Sequence, residues 1–317
     1  MPIVFGKGIG SMSKYILKRI FMGILTVFVL VTISFFMIHA VPGGPFDADS
    51  SDMSEQAYQN LVEQYELDKP IYIQYAKYIG NLLKGDFGES MQYTGTSVSS
   101  LISRGIKATA SLAMWALIVS ICIGFTLGII SAMKPGSVTD HICMGISTLG
   151  ISLPNYIVAI GLMYFFALRL KLVNVTGLST YKDYFLPVIA LSLNPIANMT
   201  KLVKTSMIES LNQDYIITAK AKGLKKSAVI GIHALKNALT PVVTYIAPLI
   251  SHLLIGSFVI ENMFSIPGIG KILSTSITNR DYTTMTGMVI FYGVSVIVFG
   301  LLADLLYVAV DPRVKYE

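Results

Sequence analysis

Charged residues are scarce in this chain of 317 residues, since Asp, Glu, Lys and Arg together make up 13% of it. A soluble domain carries about 25% charged residues, so the composition argues against an ordinary soluble protein. Hydrophobic residues make up 53% of the chain, and they are concentrated in long stretches that contain no charge. The scarcity of charge therefore indicates a protein that lies mainly in a membrane.

Cysteine and histidine are also rare, with two cysteines and four histidines in the chain. Cys122 and Cys143 both lie in hydrophobic runs, where a thiol usually serves as a small apolar side chain. The histidines do not have the spacing that is typical of metal ligands. We therefore expect no disulfide framework, no metal site and no cofactor bound by this chain.

Sequence signals of catalysis are missing as well. No phosphate-binding loop of the pattern G-x-x-x-x-G-K-[ST] occurs, so we do not expect the chain to hydrolyse ATP by that route. No Ser/His or His/Glu set has catalytic spacing, and we expect no catalytic residue. The net charge of +6 could suggest nucleic-acid binding, but the main basic segment lies between two membrane spans, which argues against that function.

Six hydrophobic runs are long enough to cross a bilayer, whose core of about 30 Å needs roughly 20 helical residues. The first run exceeds the roughly 7–15 residues of a signal-peptide core, so we expect it to be retained. The pattern predicts an all-α membrane protein with six transmembrane helices. The six runs are 20–38, 108–133, 142–168, 184–200, 237–260 and 282–303.

Basic residues indicate the orientation of these spans. Lys7, Lys14, Lys18 and Arg19 precede the first span, and cytoplasmic segments carry an excess of Lys and Arg. Because six spans place both termini on one side, we expect both termini in the cytoplasm. The predicted regions are an N-terminus with the first span (1–40), an extracytoplasmic insertion (41–104), a five-helix core (105–310) and a cytoplasmic tail (311–317).

The insertion has helix signals of its own. A capping box at Asp52 predicts a helix through Tyr65, and Pro70 is placed to begin a second helix that ends at Gly85. A third short helix is expected near 96–104. We expect a small helical cap on the outer membrane face; a solvated linker is the alternative.

The segment 201–236, called the hairpin below, is rich in lysine and contains no span. Ala219 and Gly223 are four residues apart, so on a helix they would leave a face that another backbone can approach closely. Gly223 also favours a sharp helix end, and a second helix is expected from Ser227. A helix, a glycine turn and a second helix predict a plug for a concave socket on a soluble partner. The alternative is a basic loop that binds anionic lipid.

Several strings in the chain carry a family resemblance. In the hairpin, Gly223, the alanine four residues before it and the leucine twelve residues after it match the pattern Glu-Ala-Ala, three residues, Gly, nine residues, Ile-x-Leu-Pro. The Glu, the first Ala, the Ile and the Pro of that pattern do not match. Further matching strings lie at 41–47, 67–70, 85–88, 214–215, 219–224, 233–239, 261–270, 280–282 and 311–313. On these strings the chain resembles the permease subunits of binding-protein-dependent ABC importers over nearly its whole length, and in particular the first of the two permease types in the dipeptide/oligopeptide branch.

The resemblance implies a type I ABC importer permease fold in the cytoplasmic membrane of a prokaryote. It also implies the partners: a homologous second permease, two ATPase subunits that carry ATP and Mg²⁺, and an extracytoplasmic solute-binding protein. The chain itself would not be an enzyme. The implied solute is a di- or oligopeptide, although relatives also carry nickel complexes and other small metabolites.

Candidate site residues follow from the resemblance and from the pattern of the spans. Pro154 with Asn155 and His252 are candidates for the solute pathway or its gate, with a tolerated bend and a core histidine as the alternatives. The residues expected to couple to the ATPase are Asp214, Tyr215, Ala219, Lys222, Gly223 and Leu224, with His233 and Asn237 bracing the hairpin. Glu261 and Phe264 are expected to touch the binding protein.

Asp304 is the acid that interrupts the last hydrophobic run. Acids within spans are functional candidates by default, but a partner such as Arg313 or a cytoplasmic lysine is an equally good interpretation. A stand-alone ion-coupled secondary transporter is the alternative function. Such a transporter would need titratable relays in its spans, and one acid near a span end is thin support for it.

Overall fold

The structure, a computed structural model, describes residues 8–46, 53–178 and 180–310. These residues are helical apart from turns, loops and one isolated antiparallel bridge between Glu89 and Ser97, so the all-α prediction is confirmed. Asp52, with its expected capping box, and the tail from 311, with Arg313, lie outside the described residues.

The first span and two short helices form the N-terminal part of the chain. Helix α1 comprises Gly8–Ala40, α2 comprises Glu55–Gln64 and α3 comprises Ile71–Leu82. The side chain of Ser54 accepts a hydrogen bond from the Ala57 backbone N–H at 3.3 Å. The cap of α2 is therefore Ser54, immediately before the helix, where a serine satisfies an amide of the first turn.

Helix α3 packs against the outer part of α1 through aromatic side chains. The Tyr75 hydroxyl lies 2.7 Å from the Thr32 hydroxyl, and the Phe35 ring lies 5.3 Å from the Tyr75 ring and 5.8 Å from the Tyr78 ring. Aromatic pairs at these separations contribute beyond the area that they bury. The helical part of the insertion is therefore packed on a span, unlike a solvated linker.

The junction between α2 and α3 is held by charge. Glu66 adopts a left-handed φ of 55°, and its carboxylate lies 2.7 Å from the Lys69 ammonium and 2.6 Å from that of Lys77. Hydrogen bonds from these two lysines lower the pKa of Glu66. The turn therefore keeps an ionised carboxylate at its centre.

The next helices include a sharply bent pair. Helix α4 comprises Val98–Met133, α5 comprises Val138–Ser152, and α6 comprises Asn155–Leu162 and continues as a π-helix through Arg169. Residues 98–104 are the first turns of α4, so the separate short helix expected near 96–104 is not found. Gly105 lies between these residues and the span, but a single glycine does not end the helix, which continues to Met133.

The bend between α5 and α6 is 102°. Pro154 caps α6, and Leu153 before it is extended, with φ −96° and ψ 124°. A residue before proline is disfavoured in the helical conformation, which ends α5 at this point. The run 142–168, predicted as one continuous span, is therefore broken in the middle.

The remaining helices include those of the hairpin and complete the chain. A short 3₁₀ turn, Tyr181–Tyr184, precedes α7, and a π-helical segment, Val229–Ala234, joins α9 to α10. Their bounds are α7 Phe185–Leu211, α8 Asp214–Ala221, α9 Lys226–Ala228, α10 Leu235–Met263, α11 Ile269–Thr278 and α12 Tyr282–Val310.

Within the described residues, five helical stretches are long and apolar enough to cross a membrane, and the bent pair α5–α6 makes a sixth if it is one span. The five stretches are Tyr15–Ala40, Val98–Met133, Tyr181–Leu211, Lys226–Met263 and Tyr282–Leu306.

A contact near the start of α12 decides how the bent pair is counted. Asp281 accepts a hydrogen bond from Ser90 at 2.5 Å, and the Tyr282 hydroxyl donates to the Gly43 carbonyl at 2.9 Å. The start of α12 therefore lies on the same side as the insertion. Since α4 leaves that side, an odd number of crossings must return the chain to it before α12. With α7 and α10 each crossing once, the pair α5–α6 must cross too, which gives six spans.

Contacts divide the chain into two compact units. The first unit comprises Met1–Ala108 and Pro267–Ile297, and part of its core is formed by Leu101, Ile269 and Met288. The second unit comprises Thr109–Ile266 and Val298–Glu317. Each unit draws on segments that are far apart in the sequence.

In the second unit, α4 and α7 approach closely where α4 has glycines. A Cβ added at Gly124 would lie 2.6 Å from the Met199 Cβ, and one added at Gly128 would lie 2.6 Å from the Val203 Cβ. Small residues four apart allow helix backbones to approach in membranes. This contact fixes α7, the helix that leads into the hairpin.

Candidate functional site

The hairpin joins α7 to α10. Helix α8 and the segment Val229–Ala234 pack against each other within the hairpin. The hairpin is therefore a folded element that protrudes from two spans.

The turn of the hairpin is closed by Gly223, whose φ is +75°. The Gly223 N–H donates to the Lys220 carbonyl at 3.0 Å, and the Leu224 N–H donates to the Ala219 carbonyl at 3.4 Å. These two bonds are the Schellman pattern of a helix C-terminus, in which a left-handed residue, usually glycine, reverses the chain. Gly223 thus ends α8 and directs Leu224 away from it.

The expectation that Ala219 and Gly223 form one bare helical face is wrong. Helix α8 ends at Ala221, so Gly223 lies beyond it, and Ala219 is only 4% exposed. A Cβ added at Gly223 would meet no atom within 4 Å. Ala219 therefore packs inside the hairpin. Position 223 needs glycine because of its left-handed backbone conformation, since the space around it is open.

Ser210 connects the segments at the base of the hairpin, where α7 ends and α10 begins. This side chain, in a residue that is 5% exposed, lies 2.7 Å from the Tyr215 hydroxyl and donates to the Ala234 carbonyl at 2.9 Å. It thereby links the end of α7, the start of α8 and the start of α10. Ser210 was not predicted from the sequence, because a serine near a helix end is too common to stand out.

The two residues expected to brace the hairpin act more locally. The Asn237 side chain donates to the His233 carbonyl at 3.2 Å, which is a bond along the same helical stretch. Such a bond steadies one turn but does not link the two arms of the hairpin. The side-chain hydrogen bonds that connect the two arms are those of Ser210.

The tip of the hairpin exposes apolar side chains within a basic rim. Ile217 is 61% exposed, and Tyr215 and Leu224 are exposed as well. Protein interfaces commonly combine an apolar centre with a polar rim. The exposed charged residues around the tip are Asp214, Lys220, Lys222, Lys225 and Lys226.

A cavity of about 450 Å³ adjoins the tip. It lies between the ends of α4 and α7, represented by Met133 and Leu211, and the hairpin residues Lys220, Leu224 and Lys226. The arrangement offers an apolar recess with ammonium groups at its edge, which suits a partner that presents apolar and acidic side chains.

A partly buried ion pair fixes α7 below the hairpin. The Lys204 ammonium lies 2.5 Å from the Asp140 carboxylate, which also accepts hydrogen bonds from the Ser131 hydroxyl and, at 2.8 Å, from the Gly136 N–H. Because the turn between α4 and α5 is thereby tied to α7, the hairpin rests on a rigid base. The role of Asp140 was not predicted from the sequence.

The candidate pathway residues lie on different helices of the chain. Pro154 and Asn155 lie at the bend between α5 and α6, and His252 is exposed on α10. Asp304 lies on α12 and lines a cavity that also involves α7 and α10. The structure does not bring Pro154, Asn155 and His252 together into one described site.

The expectation that Glu261 and Phe264 touch an external partner is wrong. Glu261 is 0% exposed and accepts a hydrogen bond from the Thr109 hydroxyl at 2.8 Å, and Phe264 is 2% exposed. The Phe264 carbonyl accepts from the Gly177 N–H at 2.7 Å. Both residues are internal supports for the turn that follows α10. The hydropathy of the sequence indicates that this turn lies outside the membrane, but it does not show that the two side chains are buried inside the protein.

No group of three or more His, Cys, Asp or Glu side chains that could hold a metal ion occurs in the part of the chain that the structure describes.

A helical protein with six spans and a basic hairpin between two of them has the organisation of a multi-pass membrane permease. Residues 124–316 match the family described as "Binding-protein-dependent transport system inner membrane component", and residues 12–113 match its N-terminal region. The chain belongs to this family.

Curated relatives match over almost their full length. The dipeptide transport system permease protein DppB of Bacillus subtilis is 39% identical over 304 residues, which cover 96% of this chain and 98% of that protein. The oligopeptide transport system permease protein OppB of Haemophilus influenzae is 37% identical over 307 residues, which cover 96% of this chain and 100% of that protein.

Solved structures agree on the fold of the membrane domain. An inward-facing structure of the MetNI methionine ABC transporter matches with a TM-score of 0.57 at 17% identity, covering 67% of this chain and 97% of that chain. An amino acid ABC transporter matches with a TM-score of 0.55 at 14% identity, covering 66% and 94%. The fold is therefore that of a type I ABC importer permease.

Proposed function

We propose that this chain is a permease subunit of an ATP-driven importer of di- or oligopeptides, and that its hairpin couples it to separate ATPase subunits. The observation that carries the proposal is the similarity to dipeptide and oligopeptide permeases over 96% of the chain. The exposed apolar tip of the hairpin supports the second part, because it offers a docking surface at the end of two spans.

The proposed orientation has the termini and the hairpin in the cytoplasm. Six spans with a hairpin between the fourth and the fifth support a common side for the hairpin and the N-terminus. The basic residues before the first span, Lys7, Lys14, Lys18 and Arg19, favour the cytoplasm for that side. The lysines of the hairpin tip favour the same side.

The proposed mechanism uses the hairpin as a lever. ATP and Mg²⁺ bind to the partner ATPases, and their closure moves a socket that holds Tyr215, Ile217 and Leu224. Because Ser210 ties the tip to α7 and α10, both spans move with it. A second, homologous permease completes the pathway, a solute-binding protein delivers the peptide outside, and the pathway opens alternately to each side.

The test is a substitution that blocks docking without touching the packed interior. Gly223→Trp adds a large side chain at an exposed turn with a left-handed φ, where a Cβ meets no atom within 4 Å. Gly95→Trp is the matched control, because Gly95 has a φ of +73° and an equally open surrounding but lies in the insertion. Each variant is assembled with the companion permease, the two ATPases and the binding protein in proteoliposomes.

We expect Gly223→Trp to be inserted in the membrane in normal amount and to lose peptide-stimulated ATP hydrolysis and uptake. Gly95→Trp should keep the stimulated ATP hydrolysis. Full ATP-driven uptake by Gly223→Trp would refute the coupling role of the hairpin, and failure of the unaltered complex to import any peptide would refute the proposed substrate.

A further inference from the structure

Helix α3 of the insertion has an apolar stripe in addition to the face that packs on α1. Tyr75 and Tyr78 lie against α1, whereas Tyr72 is 67% exposed and Leu83 is 84% exposed. On a helix with 3.6 residues per turn, Tyr72 and Leu83 lie about 100° around from the α1 contact. The spacing i, i+4, i+7 and i+11 defines the exposed stripe, which consists of Tyr72, Ala76, Ile79 and Leu83.

The rest of the insertion lies on another side of α3. The Gln74 side chain donates to the Leu67 carbonyl at 3.3 Å, and the Lys77 ammonium lies 2.6 Å from the Glu66 carboxylate. On the same helical wheel, Gln74 and Lys77 lie more than a third of a turn from the exposed stripe. The exposed stripe therefore points away from the body of the insertion.

The contacts with α1 show how deep α3 lies in the membrane. The hydrophobic run of the first span ends at Ile38. The Tyr75 hydroxyl lies 2.7 Å from the Thr32 hydroxyl, and the Tyr75 ring lies 5.2 Å from the Phe36 ring. Phe36 and Thr32 lie about 3 and 9 Å below Ile38 along α1. Interfacial helices bury their apolar face about 5–10 Å into the boundary between headgroups and acyl chains, so α3 contacts the span at the depth of that boundary.

The surface of α1 beside this contact is apolar and exposed as well. Phe36 is exposed although it contacts Tyr75, and Ile33 and Met37 are exposed next to it. A transmembrane helix with such a surface is surrounded by lipid tails, which are as apolar as leucine. The lipid that covers this part of α1 therefore begins next to α3.

The residue types of the exposed stripe fit the membrane surface. Tyrosine is enriched at membrane interfaces, where its ring lies at the level of the headgroups. Lys84 directly follows Leu83 and is exposed. A lysine can cover apolar surface with its stem while its ammonium group stays at the polar surface, where phospholipids carry their phosphates.

We propose that the exposed stripe of α3 is a binding surface for the phospholipids of the leaflet on the insertion side, with Tyr72 and Leu83 at the boundary between headgroups and acyl chains. The insertion is then held to the membrane both through α1 and through its own contact with lipid. The proposal does not depend on the solute that the protein transports.

The test uses the complete transporter complex in phosphatidylcholine nanodiscs, with every native cysteine replaced by serine. Tyr72→Cys and Leu83→Cys place a thiol on the exposed stripe, and Asn60→Cys is the matched control on the exposed polar surface of α2. Each thiol carries an NBD fluorophore. Phosphatidylcholine with a nitroxide near the start of its acyl chain quenches labels within the bilayer, and dithionite reduces labels in water.

We expect the nitroxide lipid to quench the labels of Tyr72→Cys and Leu83→Cys about twofold or more, as for side chains buried at the acyl boundary. The label of Asn60→Cys should not be quenched, and dithionite should reduce it about tenfold faster than the label of Leu83→Cys.

Two outcomes would overturn the proposal. Rapid reduction of the Leu83→Cys label by dithionite without quenching by lipid would show that the exposed stripe faces water. Protection from dithionite without quenching by lipid would show that another subunit of the complex covers it.

A second variant tests whether Leu83 itself holds α3 at the membrane. Adding Leu83→Asp to Tyr72→Cys should reduce the quenching of the label about twofold or more, because a charged side chain is disfavoured among acyl chains. Asn60→Asp, added in the same way, should leave the quenching unchanged. Equal quenching with and without Leu83→Asp would refute the anchoring role of Leu83.

Discussion

Gly223 adopts a conformation that most side chains disfavour, although the space around it is open. A left-handed residue other than glycine costs roughly 1–2 kcal/mol, with Asn among the better tolerated. We expect Gly223→Ala to raise hydrogen exchange of the Gly223 and Leu224 amides about fivefold or more, which corresponds to about 1 kcal/mol. Gly223→Asn should have a smaller effect. Equal exchange in all three proteins would contradict the role of the turn.

Ser210 is the second residue on which the hairpin depends. Ser210→Ala removes the partner of Tyr215 and the donor to the Ala234 carbonyl, and leaving buried polar groups unsatisfied costs about 1–3 kcal/mol. Tyr215→Phe removes only one of these bonds. Trypsin should therefore cut at Lys220 and Lys222 fastest in Ser210→Ala and at an intermediate rate in Tyr215→Phe. Unchanged cleavage in Ser210→Ala would show that the link does not hold the hairpin.

At the level of elements, the glycines of α4 determine how closely it approaches α7. A Cβ at Gly128 would lie 2.6 Å from the Val203 Cβ and 2.9 Å from the Thr200 carbonyl oxygen, and such overpacking typically costs about 1–3 kcal/mol. We expect Gly128→Val to lower the amount of monodisperse protein in size-exclusion chromatography. Gly145→Val, at a helical glycine of α5 with nothing within 4 Å, is the control. Similar losses in both variants would point to helix propensity as the cause.

The ion pair between Asp140 and Lys204 joins the α4–α5 turn to α7. Removing one partner of a largely buried ion pair destabilises a protein, because the remaining charge loses its compensation. Asp140→Asn and Lys204→Met should each lower the free energy of unfolding. The double variant should lose less than the sum of the two. Additive losses in denaturant unfolding would show that the two charges do not interact.

The elements also show where prediction from the sequence succeeds. The six spans are recognisable because a membrane helix needs about 20 apolar residues, and this requirement is independent of packing. A tolerated bend at Pro154 was one of the two interpretations, but its size of 102° was not predicted, because a hydrophobic run does not report its direction. Residues 98–104 are helical and lead into the second span, as predicted, but they are not a helix of their own, because the helix continues through Gly105.

The candidate site was predictable to a similar extent. The glycine turn at Gly223 follows from its position after a helical pattern, and the structure shows it with a φ of +75°. The burial of Ala219, Glu261 and Phe264 could not be derived, because burial depends on segments distant in the sequence. The link through Ser210 and the ion pair of Asp140 were missed for the same reason.

At the scale of the whole molecule, the contact between Ser90 and Asp281 has the widest consequence. It requires an odd number of crossings between the end of α4 and the start of α12, which supports the proposal that the hairpin lies in the cytoplasm. A protein in which α5–α6 turned back within the membrane would place the hairpin beside the insertion. A measurement of the side on which the hairpin lies therefore tests both the number of spans and the proposed coupling to the ATPases.

The most direct measurement is the accessibility of two single cysteines to a membrane-impermeant thiol reagent, in a chain with Cys122→Ser and Cys143→Ser. Ser227→Cys places a thiol on the exposed hairpin, and Thr94→Cys places one on the exposed insertion. In intact cells stripped of any outer barrier, we expect labelling of Thr94→Cys and protection of Ser227→Cys, with the reverse in inside-out vesicles. Labelling of Ser227→Cys from outside intact cells would contradict the account.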